Sequence, residues 1–198
     1  MKQKIREHVW DLLERKGIAI FPLPPKGRIP NFKGSDKACR RLLDLEEFKR
    51  ATCVFCAPDY VLREARKIVL KEGKKLALAT PHMKDFLEIF NVKEIDKAVL
   101  IKNFKKYGRP LKSKVDLFVQ GSVAVDLWGN RLGKGSGYGD KEYHFLSKKR
   151  LITNNCKVVT VVHQLQIVDH VPSEEHDVRV DYILTPEKII HANRRDSE

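Results

Sequence analysis

The chain has 198 residues, of which 42% are hydrophobic, and it carries a formal net charge of +13 at pH 7. This size and composition predict a single domain over residues 1–192, followed by a disordered tail at 193–198. They exclude a membrane-spanning protein, because no apolar run approaches the roughly 20 residues that cross a bilayer, and a disulfide scaffold, because only 4 cysteines are present.

The high positive charge predicts a polyanionic partner: a nucleotide, a nucleic acid or a polyglutamylated small molecule. An ion-pair-rich surface is the alternative, since 33% of the residues are charged. The cations are spread along the chain, so composition alone is weak support for RNA or DNA. Lys2, Lys4 and Arg6 open the chain where a secretory signal would place apolar residues, which predicts a cytoplasmic protein. A monomer and a homodimer stay equally open.

The first predicted elements are helical. Apolar residues at helical spacing predict a helix over Lys2–Lys16. The segment 21–34 is rich in Pro and Gly, which predicts a long loop. Ser35 or Asp36 is then expected to cap a second helix that runs to about Arg50.

From residue 53 onward, predicted strands and helices alternate. We expect strands at 53–57, 75–80, 97–101, 115–125 and 158–168, helices at 58–71 and 81–90, and a closing strand pair at 178–184 and 188–192. This order predicts an α/β fold that is Rossmann-like, with a mainly parallel sheet and helices on both faces. Ligands of such sheets bind at the carboxyl ends of the strands.

The glycine-rich run Arg131–Asp140, which reads RLGKGSGYGD, lies between a predicted strand and a predicted helix at 140–151. Its glycines allow backbone conformations closed to other residues, so that consecutive N–H groups can converge on one anion. Arg131 and Lys134 supply positive charge, and the helix N-terminus adds to the attraction. This combination predicts a phosphate-binding loop. A glycine-rich hairpin or connector with incidental charges is the alternative.

Three short motifs follow one another along the chain: Lys2–Arg6, Asn130–Asp140 and His176–Asp181. The second is similar to the pattern R-L-G-x-G-x-G-Y-Y-D, and together the three resemble the 5-formyltetrahydrofolate cyclo-ligase family, also called methenyltetrahydrofolate synthetases. The resemblance is closer to the branch of methenyltetrahydrofolate synthase domain-containing proteins, through segments at 28–34, 80–81, 121–125 and 180–186. The motifs span nearly the whole chain, and their order and spacing are specific.

The resemblance implies a Rossmann-like sheet of the NagB, RpiA and CoA-transferase kind and an ATP-dependent ring closure. In that family, ATP phosphorylates the formyl oxygen of 5-formyltetrahydrofolate. The neighbouring nitrogen attacks the activated carbon, and phosphate leaves to give 5,10-methenyltetrahydrofolate. The resemblance therefore predicts a ligase of folate one-carbon metabolism that uses ATP and Mg²⁺ and acts on a reduced folate or pterin.

Positions that match the family's nucleotide site lie at the amino terminus and in the glycine-rich run. They are Lys2, Arg6, Arg131, Leu132, Gly133, Lys134, Gly135, Ser136, Gly137, Tyr138 and Gly139. Within this set, Arg131 and Lys134 are expected to be catalytic, by stabilising charge on the transferred phosphoryl group. Lys2 and Arg6 lie one helical turn apart, where like charges repel unless an anion lies between them. A solvated basic face is the alternative.

The remaining predicted site residues concern the metal and the substrate. Asp140 and Asp181 match the family's magnesium carboxylates, although a helix N-cap and the polar side of a strand explain them equally well. Tyr138 matches the tyrosine expected beside the pterin. Asp59 is the nearest candidate for the acidic residue that reads the pterin, and it is equally explained as a helix cap. The family's second tyrosine is Gly139 here.

The predicted function is cyclisation of 5-formyltetrahydrofolate or a related pterin to the 5,10-methenyl form. The alternative is a non-catalytic, nucleotide-binding or RNA-associated regulatory module on the same fold, which the Gly139 difference and the net charge favour. A nucleic-acid partner lacks motif support, because no pair of aromatic residues on adjacent strands forms an RNA-recognition signature. The enzyme is favoured because the phosphate loop, the amino-terminal cations and both aspartates are present.

Overall fold

An eight-stranded sheet forms the centre of the computed structural model, which describes residues 1–193. The helices are α1 (Lys2–Arg15), α2 (Ser35–Arg40), α3 (Glu46–Arg50), α4 (Arg63–Lys71), α5 (Ile95–Ala98), α6 (Phe104–Tyr107) and α7 (Tyr138–Lys148). The strands are β1 (Ala19–Ile20), β2 (Asn31–Phe32), β3 (Cys53–Cys56), β4 (Lys75–Ala79), β5 (Phe86–Ile89), β6 (Arg109–Pro110), β7 (Val115–Gly121), β8 (Ala124–Val125), β9 (Arg131–Leu132), β10 (Ile152–Val161), β11 (Tyr182–Leu184) and β12 (Ile189–His191). Positions 194–198 of the predicted disordered tail lie outside the described residues.

The strand order across the main sheet is β12-β11-β10-β7-β3-β4-β5-β6. The central strands from β11 to β4 run parallel. At the two edges, β12, β5 and β6 pair antiparallel with their neighbours. The predicted α/β fold with a mainly parallel sheet is therefore confirmed.

Both faces of the central strands are covered by helices. Phe55 of β3 and Phe118 of β7 are register partners whose rings stack with centroids 4.3 Å apart. Tyr143 of α7 packs edge-on against Phe118 at 5.3 Å between centroids. Neighbouring residues of a strand point to opposite faces, and Cys56 lies near Cys39 of α2 on the other face. Helices on both faces are thus confirmed, and removal of these apolar side chains from water stabilises the sheet.

Two predicted elements between β4 and β7 are wrong. The predicted helix at 81–90 is a 3₁₀ turn at Pro81–Met83 followed by β5. Because β5 pairs antiparallel with β4, pairing at the sheet edge overrides the local helical spacing. The predicted strand at 97–101 belongs instead to α5 and the turn after it. A short apolar run fits a buried helix as well as a strand.

The helical segments near the amino terminus are close to their predicted positions. α1 ends one residue before the predicted helix does, at Arg15. The predicted helix at 35–50 is divided into α2 and α3 by a 3₁₀ segment, Arg41–Asp44. The N-cap of α2 is Gly34, which has a φ of +87°, and no side chain caps this helix. The expectation that residue 35 or 36 supplies the cap is therefore wrong.

The remaining strand predictions differ in their bounds. The predicted strand at 115–125 is divided into β7 and β8, because β8 leaves the main sheet to pair with β9. The predicted strand at 158–168 is β10, which begins and ends earlier. The predicted loop at 21–34 ends in β2, which pairs with β1. The closing pair is confirmed as β11 and β12. No helix among residues 1–193 is long and apolar enough to cross a membrane.

Candidate functional site

A cleft with a volume of about 670 Å³ opens at the carboxyl ends of β3, β4 and β7. Parallel strands bring these ends to one edge of the sheet, so Asp59, Thr80 and Gln120 line the same space. The predicted site residues that also line it are Lys2, Arg6 and the whole run from Arg131 to Asp140. The structure thus brings the amino-terminal cations and the glycine-rich loop together, although 127 positions separate Arg6 from Gly133.

The glycine-rich loop follows β9 and leads into α7. Gly135 and Gly137 have φ values of +112° and +71°, which L side chains rarely adopt. α7 begins at Tyr138, earlier than the predicted start at Asp140, and Gly137 is its N-cap without any side-chain cap. The uncapped first turn of a helix carries unpaired N–H groups and partial positive charge. These groups lie in the wall of the cleft, as an anion-binding loop requires.

The first helix contributes two cations to the cleft. The Arg6 Nε donates a hydrogen bond of 2.7 Å to the Gly133 carbonyl, which joins α1 to the loop. The Lys2 Nζ donates to the Asp177 Oδ2 at 3.2 Å. Burial raises the pKa of Asp177, but the Glu174 backbone N–H and Lys2 outweigh it and leave that pKa lowered. Both cations are thus placed by contacts from distant parts of the chain.

The Arg131 guanidinium lies beneath the loop, with its side chain only 5% exposed. Its Nε donates to the Ser122 Oγ and its Nη2 to the Gly121 carbonyl, both at 3.2 Å. Its Nη1 lies 3.3 Å from the Asp140 Oδ1. Burial lowers the pKa of Arg131 and nearby carboxylates oppose this change, so the group remains a cation. Lys134, by contrast, is exposed and has no hydrogen-bond or ion-pair partner among residues 1–193.

Two of the acidic residues that line the cleft, Asp59 and Glu142, have raised pKa values. Burial raises the pKa of Asp59, although Arg66, Lys134 and Arg131 oppose the change. Burial and the Asp59 carboxylate together raise the pKa of Glu142 to about 8, so Glu142 is mostly protonated at neutral pH. Sequence reasoning missed Glu142. Its spacing of four residues from Tyr138 on one helix face was the available signal.

Tyr138 faces His82 across the cleft. The Tyr138 hydroxyl lies 3.2 Å from the His82 Nδ1, and the two rings meet edge-on with centroids 5.9 Å apart. His82 has a φ of +60°, which is unusual for a residue with a side chain. Such outliers concentrate at functional sites. The sequence signal for this histidine is its place directly after Thr80-Pro81, at the end of a parallel strand.

The structure does not bring Asp181 beside Asp140. The Asp181 Oδ2 accepts a 2.8 Å hydrogen bond from the Val158 N–H. The residue lines an adjoining groove along β10, which shares His144 and Asp177 with the cleft. That both aspartates hold one ion stays a prediction. Asp177 is the carboxylate of that late motif which lines the cleft with Asp140. Among residues 1–193, no group of three or more His, Cys, Asp and Glu side chains is placed to hold a metal ion.

Comparison with known proteins gives one family. The model of the 5-formyltetrahydrofolate cyclo-ligase family matches residues 1–186. The chain is similar to the methenyltetrahydrofolate synthase domain-containing protein of Homo sapiens, with 41% identity over 205 residues that cover 96% of this chain and 53% of that protein. The match covers nearly all of this chain, but this chain spans only about half the length of the curated relatives concerned.

Two solved structures show the same fold. The 5,10-methenyltetrahydrofolate synthetase of Aquifex aeolicus superposes with a TM-score of 0.60 at 22% identity, covering 100% of this chain and 95% of that one. The enzyme of the same name from Mycoplasma pneumoniae gives a TM-score of 0.56 at 13% identity, covering 94% of this chain and 99% of that one. At these identities the likeness concerns the fold alone.

Proposed function

Because the chain belongs to the 5-formyltetrahydrofolate cyclo-ligase family, we propose that it cyclises 5-formyltetrahydrofolate, or a related pterin, to the 5,10-methenyl form with ATP and Mg²⁺. One observation carries the proposal: the glycine-rich loop, the cations of α1 and several acidic side chains line a single cleft at the carboxyl ends of the parallel strands. Phosphoryl transfer needs this combination, because it depends on positioning and on charge stabilisation.

In this proposal the loop and the first turn of α7 bind the phosphates of ATP. Backbone N–H groups donate to the phosphate oxygens, while Lys2, Arg6 and Lys134 neutralise their charge. Arg131 is held rigid by its bonds to the end of β7. Such a preorganised cation stabilises charge on the transferred phosphoryl group without reorganising during the reaction.

The acidic part of the cleft is proposed to bind the substrate. Tyr138 offers a ring face and a hydroxyl that His82 orients. Asp59 offers carboxylate oxygens that can accept hydrogen bonds from ring N–H groups. A protonated Glu142 adds a donor without adding a second negative charge.

Asp140 fits a magnesium site in this cleft. Its Oδ1 meets Arg131 and the Val178 N–H, which leaves Oδ2 without a hydrogen bond from residues 1–193. One or two carboxylates with phosphate oxygens and water satisfy Mg²⁺. When bound, the ion would neutralise charge on the nucleotide phosphates. Asp181 lines the adjoining groove, which shares Asp177 with this cleft, and its part in the magnesium site stays a prediction.

The test mixes purified protein with 5-formyltetrahydrofolate, ATP and Mg²⁺ and follows the absorbance of the methenyl product. We expect product only when all components are present, with ATP omission and Mg²⁺ chelation as controls. ATP binding without any product would contradict the cyclo-ligase proposal and favour the non-catalytic, nucleotide-binding module. A cytoplasmic location, a monomeric or homodimeric state and a nucleic-acid partner stay predictions.

A further inference from the structure

Gln120 is the anomalous polar residue of the cleft. It occupies the next-to-last position of β7 and is 1% exposed. Neither its Oε1 nor its Nε2 has a hydrogen-bond partner among residues 1–193. Buried polar groups are normally paired, because an unpaired one loses its bonds to water without replacement. The residue also lines the cleft. Both amide atoms are covered by neighbouring residues, so a ligand that contacts the amide must displace part of that cover.

The glycine at position 139 makes room for this amide. A Cβ atom placed on Gly139 would lie 2.9 Å from the Gln120 Oε1 and 3.2 Å from the Arg131 Nη2. Cβ atoms in real structures essentially never make a contact as short as the 2.9 Å to the Gln120 Oε1. The position where the family pattern carries a second tyrosine is therefore closed to side chains while Gln120 holds this conformation. The glycine and the glutamine belong to one local arrangement.

Asp59 lies at the same edge of the sheet as Gln120, because β3 and β7 are adjacent parallel strands. Gly121 is close enough to Asp59 that an added Cβ would lie 3.1 Å from the Asp59 Oδ2 and 2.4 Å from the Ile29 Cγ2. Strand pairing thus sets the two polar side chains at neighbouring strand ends. The carboxamide offers two N–H donors and an acceptor oxygen, and the carboxylate offers acceptors. A ligand edge that carries N–H groups beside a carbonyl oxygen complements the carboxamide of Gln120.

We propose that Gln120 is a specificity-determining residue whose carboxamide hydrogen-bonds the edge of the substrate's heterocycle, where an N–H group and a carbonyl oxygen are adjacent. The assignment rests on the proposed function, since it places the pterin ring on the floor of the cleft. The assignment accounts for two features: the ligand supplies the hydrogen-bond partner that the Gln120 amide lacks, and Gly139 leaves room for that amide where a larger residue would collide with it.

The experiment measures the binding of 5-formyltetrahydrofolate and, separately, of Mg-ATP to wild-type protein and to Gln120→Leu. Leucine has a similar volume and no polar atoms. We expect about 10-fold weaker folate binding, the effect of one lost hydrogen bond, with Mg-ATP binding unchanged. The thermal midpoint should stay the same or rise, because the variant removes a buried, unpaired group. Gln164→Leu is the matched control, since Gln164 also has an unpaired buried Oε1 but lies outside the cleft.

A second variant guards against misfolding of the first. Gly139→Ala keeps the amide but displaces it, so folate binding should weaken in the same direction. Unchanged folate binding in Gln120→Leu, or equal weakening of both ligands, would overturn the assignment and leave the proposed function standing. If wild-type protein binds no reduced folate while Mg-ATP still binds, the proposed function fails and the assignment fails with it.

Discussion

Single residues decide which groups meet in the cleft. The contact between Arg6 and the Gly133 carbonyl is local in space and remote in sequence. The ion pair between Arg131 and Asp140 lies inside the loop itself. Both contacts place positive charge where the phosphates of a nucleotide are proposed to lie, and each can be removed by one substitution.

Arg6→Ala should weaken Mg-ATP binding by about tenfold or more, because hydrogen bonds to charged groups contribute roughly 1.5–3 kcal/mol. Arg15→Ala is the control, since Arg15 lies on the same helix and, among residues 1–193, pairs only with the exposed Asp11. Calorimetric titration of both variants with Mg-ATP measures the difference. Equal affinity in the two variants would show that Arg6 belongs to a solvated basic face.

Asp140→Asn should weaken Mg-ATP binding by at least about tenfold, the usual range for groups that support a metal site. Binding of Mg-free ATP should not weaken, because the substitution removes a negative charge near the phosphates. The control is Asp36→Asn, which changes an exposed aspartate on α2. Loss of affinity for both forms of ATP would instead assign Asp140 to holding Arg131 in place.

Secondary-structure elements differ in how far the sequence determines them. β3, β4 and β7 were predictable, since each is an apolar run buried at nearly every position. β5 and α5 were not, because their short apolar runs fit two structures and pairing with a neighbour decides between them. The late aspartates could not be separated either. Which of them faces the cleft depends on the path of the chain before β11.

One link between elements joins α3 to β11. The Tyr182 hydroxyl donates a 2.5 Å hydrogen bond to the Glu47 Oε1. Burial raises the pKa of Tyr182, and the Glu47 carboxylate raises it further, to about 12. Burial also raises the pKa of Glu47, but the Tyr182 hydroxyl and nearby positive charges outweigh it, and the pKa is lowered.

Tyr182→Phe should lower the free energy of unfolding by about 1 kcal/mol at neutral pH. Because the folded pKa of Glu47 lies below its ordinary value of 4.5, this contribution is present above that value. It is lost as pH falls through the folded pKa. Urea unfolding of the wild-type and variant proteins at pH 7 and near pH 3 measures the effect. Tyr107→Phe is the control, because the Tyr107 hydroxyl donates to the exposed carboxylate of Glu94. A difference that persists unchanged at low pH would contradict the link.

At the scale of the whole molecule, the net charge of +13 exceeds what one nucleotide site requires. The cations are dispersed over helices and loops, and many pair with acidic neighbours, as Lys67 does with Asp96 at 2.7 Å. Charge of this kind gives attraction to polyanions without sequence recognition.

We therefore expect weak binding to single-stranded RNA that falls steeply between about 50 and about 200 mM salt, because phosphate contacts release counterions. Binding curves at the two salt concentrations, with a neutral polymer as control, measure this. Tight binding that persists at the higher concentration would favour the RNA-associated alternative.

Lys2 reaches the cleft already neutralised, with the Asp177 and Glu174 carboxylates 3.2 Å and 3.6 Å from its Nζ. An incoming anion must take the place of these acids, so its capture is an exchange of counterions. A monophosphate offers little more charge than the carboxylates it would displace, whereas a triphosphate offers much more. We therefore expect the acids of this segment to favour the binding of charge-dense nucleotides over that of their hydrolysed forms.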